Sequence, residues 1–308
     1  MFDDLIQQGL VKEKIYPNGL RIFKYTKKVF WDNLWKTDDL LLEARGIVLD
    51  EHDNKVIWPF TKVFNYGENG TTCDGNQSVQ VIDKINGFLA AARYYKGEVI
   101  VSTTGTLDSE YAVMGRTVLD NTHSLSWPLW HALANHTLIF EICHPDDPHI
   151  VEERYGAYLI GMRNMSTGKM ESEDFLDYVA SRGNFLRPAH RWCNFDDVLE
   201  DVKSCQHEGY MIRNSAGEHL MKIKSPHYLT KKALMRIGDN KVDLMYDSPD
   251  EYKKSMDEEF QSVVDYILAD VSREYWKALN DQERRKVIEQ FFQKEGVFSE
   301  HRFSGVLA

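Results

Sequence analysis

Short candidate strands that follow one another closely constrain the fold of this chain more than any other feature. Over its first two hundred or so residues, segments of four to eight residues, rich in β-branched and aromatic side chains, are bounded by Gly, Asn, Asp or Pro. Because few helical stretches come between them, the pattern favours an antiparallel α+β domain over a doubly wound one. The ten predicted strands are Leu20–Tyr25, Gly46–Leu49, Lys55–Trp58, Gln80–Asp83, Phe88–Tyr95, Glu98–Ser102, Thr137–Ile142, Ala157–Met162, Gly209–Arg213 and His219–Lys224.

Turns and a few helices complete this region. The tetrapeptides Tyr16–Gly19 and Asn214–Gly217 have the residues of hairpin turns. The predicted helices are Ser109–Val118, Trp127–Ala134, Ser172–Ser181 and Phe195–Lys203.

Helical signals dominate after Tyr228. Ser248–Glu251 reads as a capping box with proline at the first helical position, and Asn280 with Glu283 repeats the start signal. We therefore predict two domains, residues 1–229 and an all-helical domain over 230–308. The apolar positions with a helical period are Met256, Phe260, Val263, Val264, Ile267, Leu268, Val287, Ile288, Phe291 and Phe292.

Composition excludes several classes of protein. The 308 residues have the proportions of hydrophobic and charged residues of an ordinary globular protein and a net charge of −11. The sequence contains no run of 18 apolar residues, so a membrane-spanning helix is not expected. The acidic N-terminal segment lacks the apolar core of a signal peptide. Four scattered cysteines form no CxxC pair, so neither structural zinc nor a disulfide scaffold is expected. We expect a cytoplasmic protein with reduced thiols.

Positive charge is concentrated in one segment. Residues 11–36 contain seven lysines and arginines against two acidic residues, interleaved with six aromatic residues. This combination suits a polyanion that carries bases. It equally suits an amphipathic hairpin whose aromatic rings lie in the core and whose lysines face water. The sequence leaves both interpretations open.

Six fragments in a fixed order point to one chemistry, although each alone is weak. Lysines or arginines come at turns or strand ends, and carboxylates come inside or at the start of apolar strands. The fragments are Glu43-Ala44-Arg45-Gly46, Thr61-Lys62-Val63-Phe64-Asn65, Lys84-Ile85-Asn86-Gly87, Phe140-Glu141-Ile142, Glu208-Gly209-Tyr210-Met211 and Met221-Lys222-Ile223-Lys224. In the last fragment, alternation puts both lysines on one face of a strand.

This order is that of the motifs of the covalent nucleotidyltransferases, which are K-x-[D/N]-G, F-E, E-G-Y and K-x-K. The segments EARGIVLDE, PFTKVFN, KING, STTGTLDSEYAVM, IFEICHP, EGYMI and KIKSPHY resemble the phage RNA ligase 1 family over roughly residues 20–230. The resemblance implies an antiparallel-sheet nucleotidyltransferase (ATP-grasp-like ligase) domain followed by a small all-helical C-terminal domain. DNA ligases and capping enzymes would instead continue with a β-barrel OB domain. DNA ligases also usually carry arginine where this chain has Leu89.

The resemblance implies an ATP-dependent RNA ligase that joins 3′-OH and 5′-phosphate ends through a lysyl-AMP intermediate. It also implies Mg²⁺ or Mn²⁺, a single-stranded or broken RNA such as a tRNA under repair, and a bacteriophage protein in the host cytoplasm. A lysine nucleophile must first lose its proton, and nearby cations both lower its pKa and neutralise phosphate charge. Nothing in the sequence indicates an oligomeric state.

Site residues follow from the same resemblance. Lys84 resembles the nucleophile, and Arg45, Lys62, Lys222 and Lys224 resemble the other catalytic residues. Those four, with Tyr25, Phe64, Gly87, Glu141, Ile160, Met211 and Tyr228, make up the predicted ATP-binding set. Glu141 and Glu208 are the predicted metal contacts.

Each assignment has an alternative. Arg45 would equally pair with Glu43 or Asp50, and Glu141 would equally be a satisfied strand carboxylate. Phe64, Ile160 and Met211 are of types more often found in a core, and the two lysines of K-x-K suit a solvated strand face. At the level of function, the alternatives are a nick-sealing polynucleotide ligase, another covalent nucleotidyltransferase, or a catalytically silent RNA-binding module.

Two positions depart from the family pattern. Asn86 stands where many relatives carry aspartate, and Thr104 stands where a relative carries lysine. The first change removes a charge but keeps a hydrogen-bond acceptor. The second leaves the source of phosphate contacts near residues 102–105 open. His144, His149 and His207 lie near the motifs without a spacing that requires zinc.

Overall fold

A computed structural model of the protein describes residues 1–122, 127–147, 149–151, 153–229, 232, 238–254 and 261–294. The chain forms two compact units. The first unit contains Met1–Val63, Ile85–His190 and Arg213–His219, and the second contains Phe64–Lys84, Arg191–Ile212 and Leu220–Ala308. Within the described residues, no helix has both the length and the apolar character needed to cross a membrane.

The first unit begins with a four-stranded antiparallel sheet in the order β1-β2-β3-β4. Its strands are β1 Val11–Ile15, β2 Arg21–Tyr25, β3 Arg45–Leu49 and β4 Lys55–Ile57. The predicted turn joins β1 to β2: the N–H of Tyr16 donates to the carbonyl of Leu20, and Gly19 adopts φ +79°. Short helices flank these strands: α1 Asp3–Gln7, α2 Lys27–Trp31, α3 Leu40–Glu43 and a 3₁₀ turn, Leu34–Lys36.

A second antiparallel sheet of the same unit has the order β7-β6-β8-β9. Its elements are β6 Phe88–Tyr95, β7 Glu98–Thr103, α4 Glu110–Thr122, α5 Trp127–Ala132, β8 His136–Cys143, β9 Gly156–Asn164 and α6 Glu173–Gly183. Alternate residues of the strands form a core with the helices, for example Ala90 and Phe140 with Val118 and Leu176. A smaller cluster packs Ile22 and Val48 of the first sheet against Ala91 of the second.

The second unit is built on a four-stranded sheet in the order β10-β5-β11-β12. Its elements are a 3₁₀ turn, Glu68–Gly70, then β5 Ser78–Asp83, β10 His190–Asn194, α7 Phe195–Ser204, β11 Gly209–Arg213 and β12 His219–Lys224. Val79 and Val81 of β5 pack with Ile212, Ile223 and the apolar face of α7. This packing fixes the strands that carry the K-x-K and E-G-Y motifs.

Beyond β12 the described residues form helices and no strand. From residue 239 onwards they are α8 Asp239–Asp247, α9 Pro249–Lys254, α10 Gln261–Asp270, α11 Arg273–Ala278 and α12 Asp281–Lys294. The predicted start of α12 is a reciprocal capping box, in which Asn280 Oδ1 accepts from the N–H of Glu283 and Glu283 Oε2 accepts from the N–H of Asn280. Met256 and Phe260 lie outside the described residues, as does the side chain of Phe292.

The predicted α+β fold class is confirmed, with all ten predicted strands and four predicted helices present within a few residues of their expected ends. Sequence reasoning missed β1 and β10. Both strands are mostly exposed, so they lack the apolar alternation that identifies a strand. The domain boundary at residue 229 stays a prediction.

Candidate functional site

Lys84 follows directly after β5 and is held there by its own backbone. Its N–H donates to the carbonyl of Gly209 over 2.8 Å. Its side chain is 21% exposed, and its Nζ lies 2.9 Å from Oε1 of Glu208. The K-x-N-G lysine is thereby connected to both residues that begin the E-G-Y motif.

Glu208 joins Lys84 to the K-x-K strand. Lys224 Nζ lies 3.6 Å from the same Oε1 atom, and the Glu208 side chain is 4% exposed. A carboxylate this deeply buried requires cationic partners to offset its desolvation. The predicted proximity of Lys84 to a lysine of K-x-K is therefore present in the second unit.

Lys222 lies two residues before Lys224 on β12, so both side chains extend from one face of the strand. The segment after Lys62 runs alongside it: the N–H of Lys222 donates to the carbonyl of Phe64, and the N–H of Tyr66 donates to the carbonyl of Lys222. Phe64 is half-buried next to this strand. The PFTKVFN and K-x-K motifs are thus neighbours through backbone hydrogen bonds.

Gly209 is required by the close approach of β11 to β12. It adopts φ +131°, and a Cβ at this position would lie 2.0 Å from the carbonyl oxygen of Ile223. His207 supports the same bend, because its Nδ1 accepts from the N–H of Gly209 and its backbone carbonyl accepts from the hydroxyl of Ser225. Sequence reasoning gave His207 no role, since its contacts are formed only when the two strands meet.

Tyr228 and Met211 complete the predicted residues of the second unit. The Tyr228 ring has Lys224 Nζ at 5.1 Å and Lys232 Nζ at 5.6 Å from its centroid. Lys232 is 7% exposed and was missed, because it has no motif of its own. Met211 is the half-buried residue of β11, whereas the flanking Tyr210 and Ile212 are buried.

Arg45 occupies a β-bulge in the first unit. Phe23 pairs with Ile47 and Lys24 pairs with Arg45, which leaves Gly46 as the extra residue. Gly46 adopts φ +95°, and a Cβ there would lie 2.9 Å from Cα of Thr104. Glycine is therefore the residue that permits the bulge and the close packing on residues 103–104, and the bulge redirects the neighbouring side chain.

The alternative partners of Arg45 are otherwise engaged. Glu43 is bound by Arg163, with Nη1 2.9 Å from Oε2, and also accepts from Trp58 Nε1 and the Thr61 hydroxyl. Asp50 accepts from the hydroxyl of Tyr95 and from the chain at 52–54. Among the described residues no carboxylate pairs with Arg45, so its guanidinium is available for another anion.

Lys62 and Tyr25 both contact the ring of Trp35, a residue for which the sequence predicted no such contact. Lys62 Nζ lies 4.9 Å from the centroid of the Trp35 ring, and the Tyr25 ring contacts the same indole edge-on at 4.8 Å. Trp35 is 3% exposed. A cation over an indole face is attracted by the ring quadrupole, so Trp35 fixes the position of the lysine.

Glu141 contacts the K-x-N-G motif directly. The N–H of Gly87 donates to Glu141 Oε1 over 3.1 Å, and a Cβ on Gly87 would lie 2.3 Å from the carbonyl oxygen of Ile142. The missing side chain at Gly87 thus allows the motif to pack against β8. The backbone N–H of Asn86 donates to Glu153, and its Oδ1 accepts from the N–H of Val151. The side-chain oxygen of Asn86, which stands where many relatives carry aspartate, therefore still accepts a hydrogen bond.

Ile160 is the extra residue of a second bulge. Ile139 pairs with Gly161 and Phe140 pairs with Leu159, so Ile160 has no partner across the ladder. It is half-buried while the residues on either side of it are buried. The bulge therefore takes Ile160 out of the core alternation, and its role at a ligand stays a prediction.

Two carboxylates were predicted to contact a metal ion, one in each unit. Among the described residues, no three His, Cys, Asp or Glu side chains are grouped as a metal site. Mg²⁺ is commonly held by one or two carboxylates together with substrate phosphates, because it keeps several of its waters. Glu141 and Glu208 have the donor chemistry for that mode of binding.

The predicted residues therefore fall into two groups. Lys84, Phe64, Glu208, Met211, Lys222, Lys224 and Tyr228 belong to the second unit, and Tyr25, Arg45, Lys62, Gly87, Glu141 and Ile160 belong to the first. The K-x-N-G motif connects them along the chain, since Lys84 ends a segment of the second unit and Ile85 begins a segment of the first.

Comparisons with known proteins bear on the family and the fold. A family model described as RNA ligase matches residues 43–228, which is more than half of the chain. An archaeal ATP-dependent RNA ligase structure is similar, with a TM-score of 0.60, 14% identity, and coverage of 94% of this chain and 74% of that one. A putative ATP-dependent DNA ligase from Aquifex aeolicus has a TM-score of 0.59, 13% identity, and coverage of 95% and 79%. At these identities the structural likeness shows the fold.

Proposed function

The chain belongs to the RNA ligase family, as its motifs predicted, and from this premise we propose that it joins RNA ends in an ATP-dependent reaction through a lysyl-AMP intermediate on Lys84. The observation that carries the proposal is the contact of Lys84 and Lys224 with one oxygen of the buried Glu208. Three motifs far apart in sequence supply these three side chains.

In the first step, neutral Lys84 attacks the α-phosphorus of ATP. A nitrogen–phosphorus bond forms, the bond from that phosphorus to the bridging oxygen breaks, and pyrophosphate leaves; the nitrogen then loses a second proton to solvent. Lys84 must give up a proton to solvent beforehand. The positive charge of Lys224 nearby favours the neutral amine, whereas the ion pair with Glu208 favours the ammonium. Glu208 holds the two nitrogens in one place, which positions the nucleophile.

The second and third steps transfer AMP and then release it. An oxygen of the RNA 5′-phosphate attacks the phosphorus of lysyl-AMP, which restores Lys84 and forms a 5′–5′ pyrophosphate bond. The 3′-hydroxyl of the other RNA end then loses its proton to solvent as its oxygen attacks the 5′-phosphate, a phosphodiester forms, the pyrophosphate bond breaks, and AMP leaves. All three are phosphoryl-transfer steps, so positioning and charge neutralisation supply most of the catalysis.

The remaining residues have roles consistent with their surroundings. Lys222, Lys224, Arg45 and Lys62 neutralise phosphate charge. Phe64, Met211 and Ile160 offer half-buried apolar surface to the adenine, while Tyr25 and Tyr228 each lie next to a lysine-bearing cluster. A divalent ion at Glu141 or Glu208 would supply Lewis-acid stabilisation of phosphate charge.

The identity of the RNA substrate is a separate proposal. We assign to the protein a single-stranded or broken RNA, such as a tRNA under repair, in the cytoplasm of a phage-infected host. The support is the family resemblance of the motifs.

A ligation assay tests the proposed function. Labelled 5′-phosphorylated single-stranded RNA is incubated with the protein, ATP and Mg²⁺, and a nicked duplex and GTP are tested in parallel. The proposal predicts circular or joined single-stranded RNA with ATP, and none with Lys84→Ala. Sealing of the nicked duplex alone would favour the nick-sealing alternative. RNA binding without joining would favour a silent binding module.

A further inference from the structure

Three cations lie in a row across three neighbouring strands of the first sheet. The register pairs Lys12 of β1 with Lys24 of β2, and Lys24 with Arg45 of β3. Lys12 and Lys24, paired in regular register, extend from the same face of the sheet, and Arg45 pairs with Lys24 at the Gly46 bulge. Neighbouring strands are about 4.8 Å apart. We call Lys12, Lys24 and Arg45 the cationic row. Lys12 and Lys24 are exposed and Arg45 is half-buried.

The row has no anionic partner among the described residues, although nearby cations do. Lys14 pairs with Asp108, and Arg21 pairs with Asp53 and Glu13. Like charges placed directly opposite on a sheet destabilise it. Three such positions in succession therefore carry a stability cost that a bound polyanion would offset.

Lys24 also lies next to the loop at residues 102–105. A Cβ on Gly105 would be 3.4 Å from Cδ and 3.6 Å from Nζ of Lys24. The same loop packs on Gly46, beside Arg45. Lys24 thus brings a positive charge from β2 to residues 102–105.

The direction of the cationic row across the sheet favours a polymer over a single nucleotide as its ligand. It runs from Arg45, a predicted phosphate contact, to β1, which is the edge strand of its sheet. A ligand that contacts all three cations spans three strands and reaches the sheet edge, where a polymer such as an RNA strand can continue. Residues 11–36 carry a net +5, so the rest of the chain, at −16, gives the region a contrasting positive charge.

We propose that the cationic row binds consecutive phosphates of a single-stranded RNA substrate. This inference rests on the proposed function only for the identity of the polyanion as RNA. Lys12 and Lys24 are positioning residues for the strand, and ATP binding does not need them.

Binding of fluorescent 5′-phosphorylated single-stranded RNA, measured by anisotropy over a range of salt concentrations, tests the proposal. The variants are Lys12→Gln, Lys24→Gln and, as a matched control, Lys169→Gln, an exposed lysine in the turn after β9. Each lost phosphate contact lowers the slope of log K against log salt by about 0.7, which is about a fivefold loss of affinity at 0.1 M salt. We expect this loss for Lys12 and Lys24 and none for Lys169.

Two further measurements make the outcome decisive. Denaturant midpoints should stay equal or rise in the Lys12 and Lys24 variants, because a like-charge pair is removed. Covalent labelling by ATP should be unchanged. Unaltered RNA affinity, or a loss confined to ATP labelling, would overturn the proposal. Absence of ATP labelling in the unaltered protein, with the RNA pattern as expected, would instead refute the lysyl-AMP mechanism and leave the cationic row standing.

Discussion

Lys84 Nζ and Glu208 Oε1 are 2.9 Å apart, although 123 residues separate the two along the chain. The contact exists because β5 and β11 are neighbours in one sheet, and the N–H of Lys84 bonds to the carbonyl of Gly209. A nucleophile held by both backbone and side chain needs little reorganisation before it reacts. This relationship leads to the first prediction.

Replacing Glu208 with glutamine should slow covalent labelling by ATP. The amide keeps the size of the side chain but leaves two ammonium groups without their shared countercharge, so Lys84 is displaced from its position. The expected loss is about tenfold or more, since a charge-assisted hydrogen bond contributes about 1.5–3 kcal/mol. Single-turnover labelling rates measure it. Glu200→Gln on α7, where the carboxylate is 75% exposed, is the control, and equal rates in both variants would contradict the role of Glu208.

Gly209→Ala should destabilise the protein far more than a glycine substitution in open space. The new Cβ would lie 2.0 Å from a backbone oxygen that cannot rotate away. Gly97→Ala is matched in having positive φ, +96°, but meets nothing within 4 Å. We expect about 1 kcal/mol of lost stability at Gly97 and more than 3 kcal/mol at Gly209, measured by urea unfolding. Similar values would show that β11 and β12 do not approach this closely.

The Glu43 carboxylate should make stability depend on acid pH. Burial alone would raise its pKa, but hydrogen bonds from Arg163, Thr61 and Trp58 lower the pKa below its ordinary 4.5. Its contribution is therefore present above pH 4.5 and is lost as the pH falls through the lower, folded-state pKa.

Urea midpoints between pH 7 and pH 3 test this prediction. Glu43→Gln should lower the free energy of unfolding at pH 7 by about 1–3 kcal/mol and flatten its decline towards acid. Glu51→Gln, at a 70% exposed carboxylate, should change neither. An unchanged decline in the Glu43 variant would contradict the ion pair.

Glu173→Ala should be among the most destabilising single changes in the first unit. Glu173 and Arg213 are each 1% exposed and form an ion pair, and Arg187 also bonds to Glu173. Removing the carboxylate leaves buried guanidinium charge unpaired, which typically costs about 3–5 kcal/mol. Thermal or urea unfolding measures it. The exposed Glu200→Ala should stay within about 0.5 kcal/mol of the unaltered protein, and a comparably small effect at Glu173 would refute the pairing.

Several features of the fold and the site were predictable because the residues that determine them are close together in sequence. The alternation in Met221–Lys224 predicted two lysines on one strand face, and the residues of Tyr16–Gly19 predicted the turn that precedes β2. The capping box at Asn280 likewise depends on residues three apart. Such signals are complete within a few residues of sequence.

Other features depend on contacts that the sequence does not encode locally. The two bulges at Gly46 and Ile160 depend on strand register, which is set by the partner strand. Trp35 fixes Lys62 across 27 positions of chain, and only the fold shows which of the aromatics in residues 11–36 are buried. Phe23 and Trp35 lie in the core, whereas Trp31 is 42% exposed.

The most direct test of the central claim is to find where AMP becomes attached. The protein is incubated with ATP labelled at the α-phosphate and Mg²⁺, without RNA, and the labelled peptide is identified after digestion. The account predicts an acid-labile, alkali-stable adduct on Lys84 that is absent from Lys84→Ala and retained in the exposed-surface control Lys169→Gln. No adduct, or an adduct that persists when Lys84 is replaced, would contradict it.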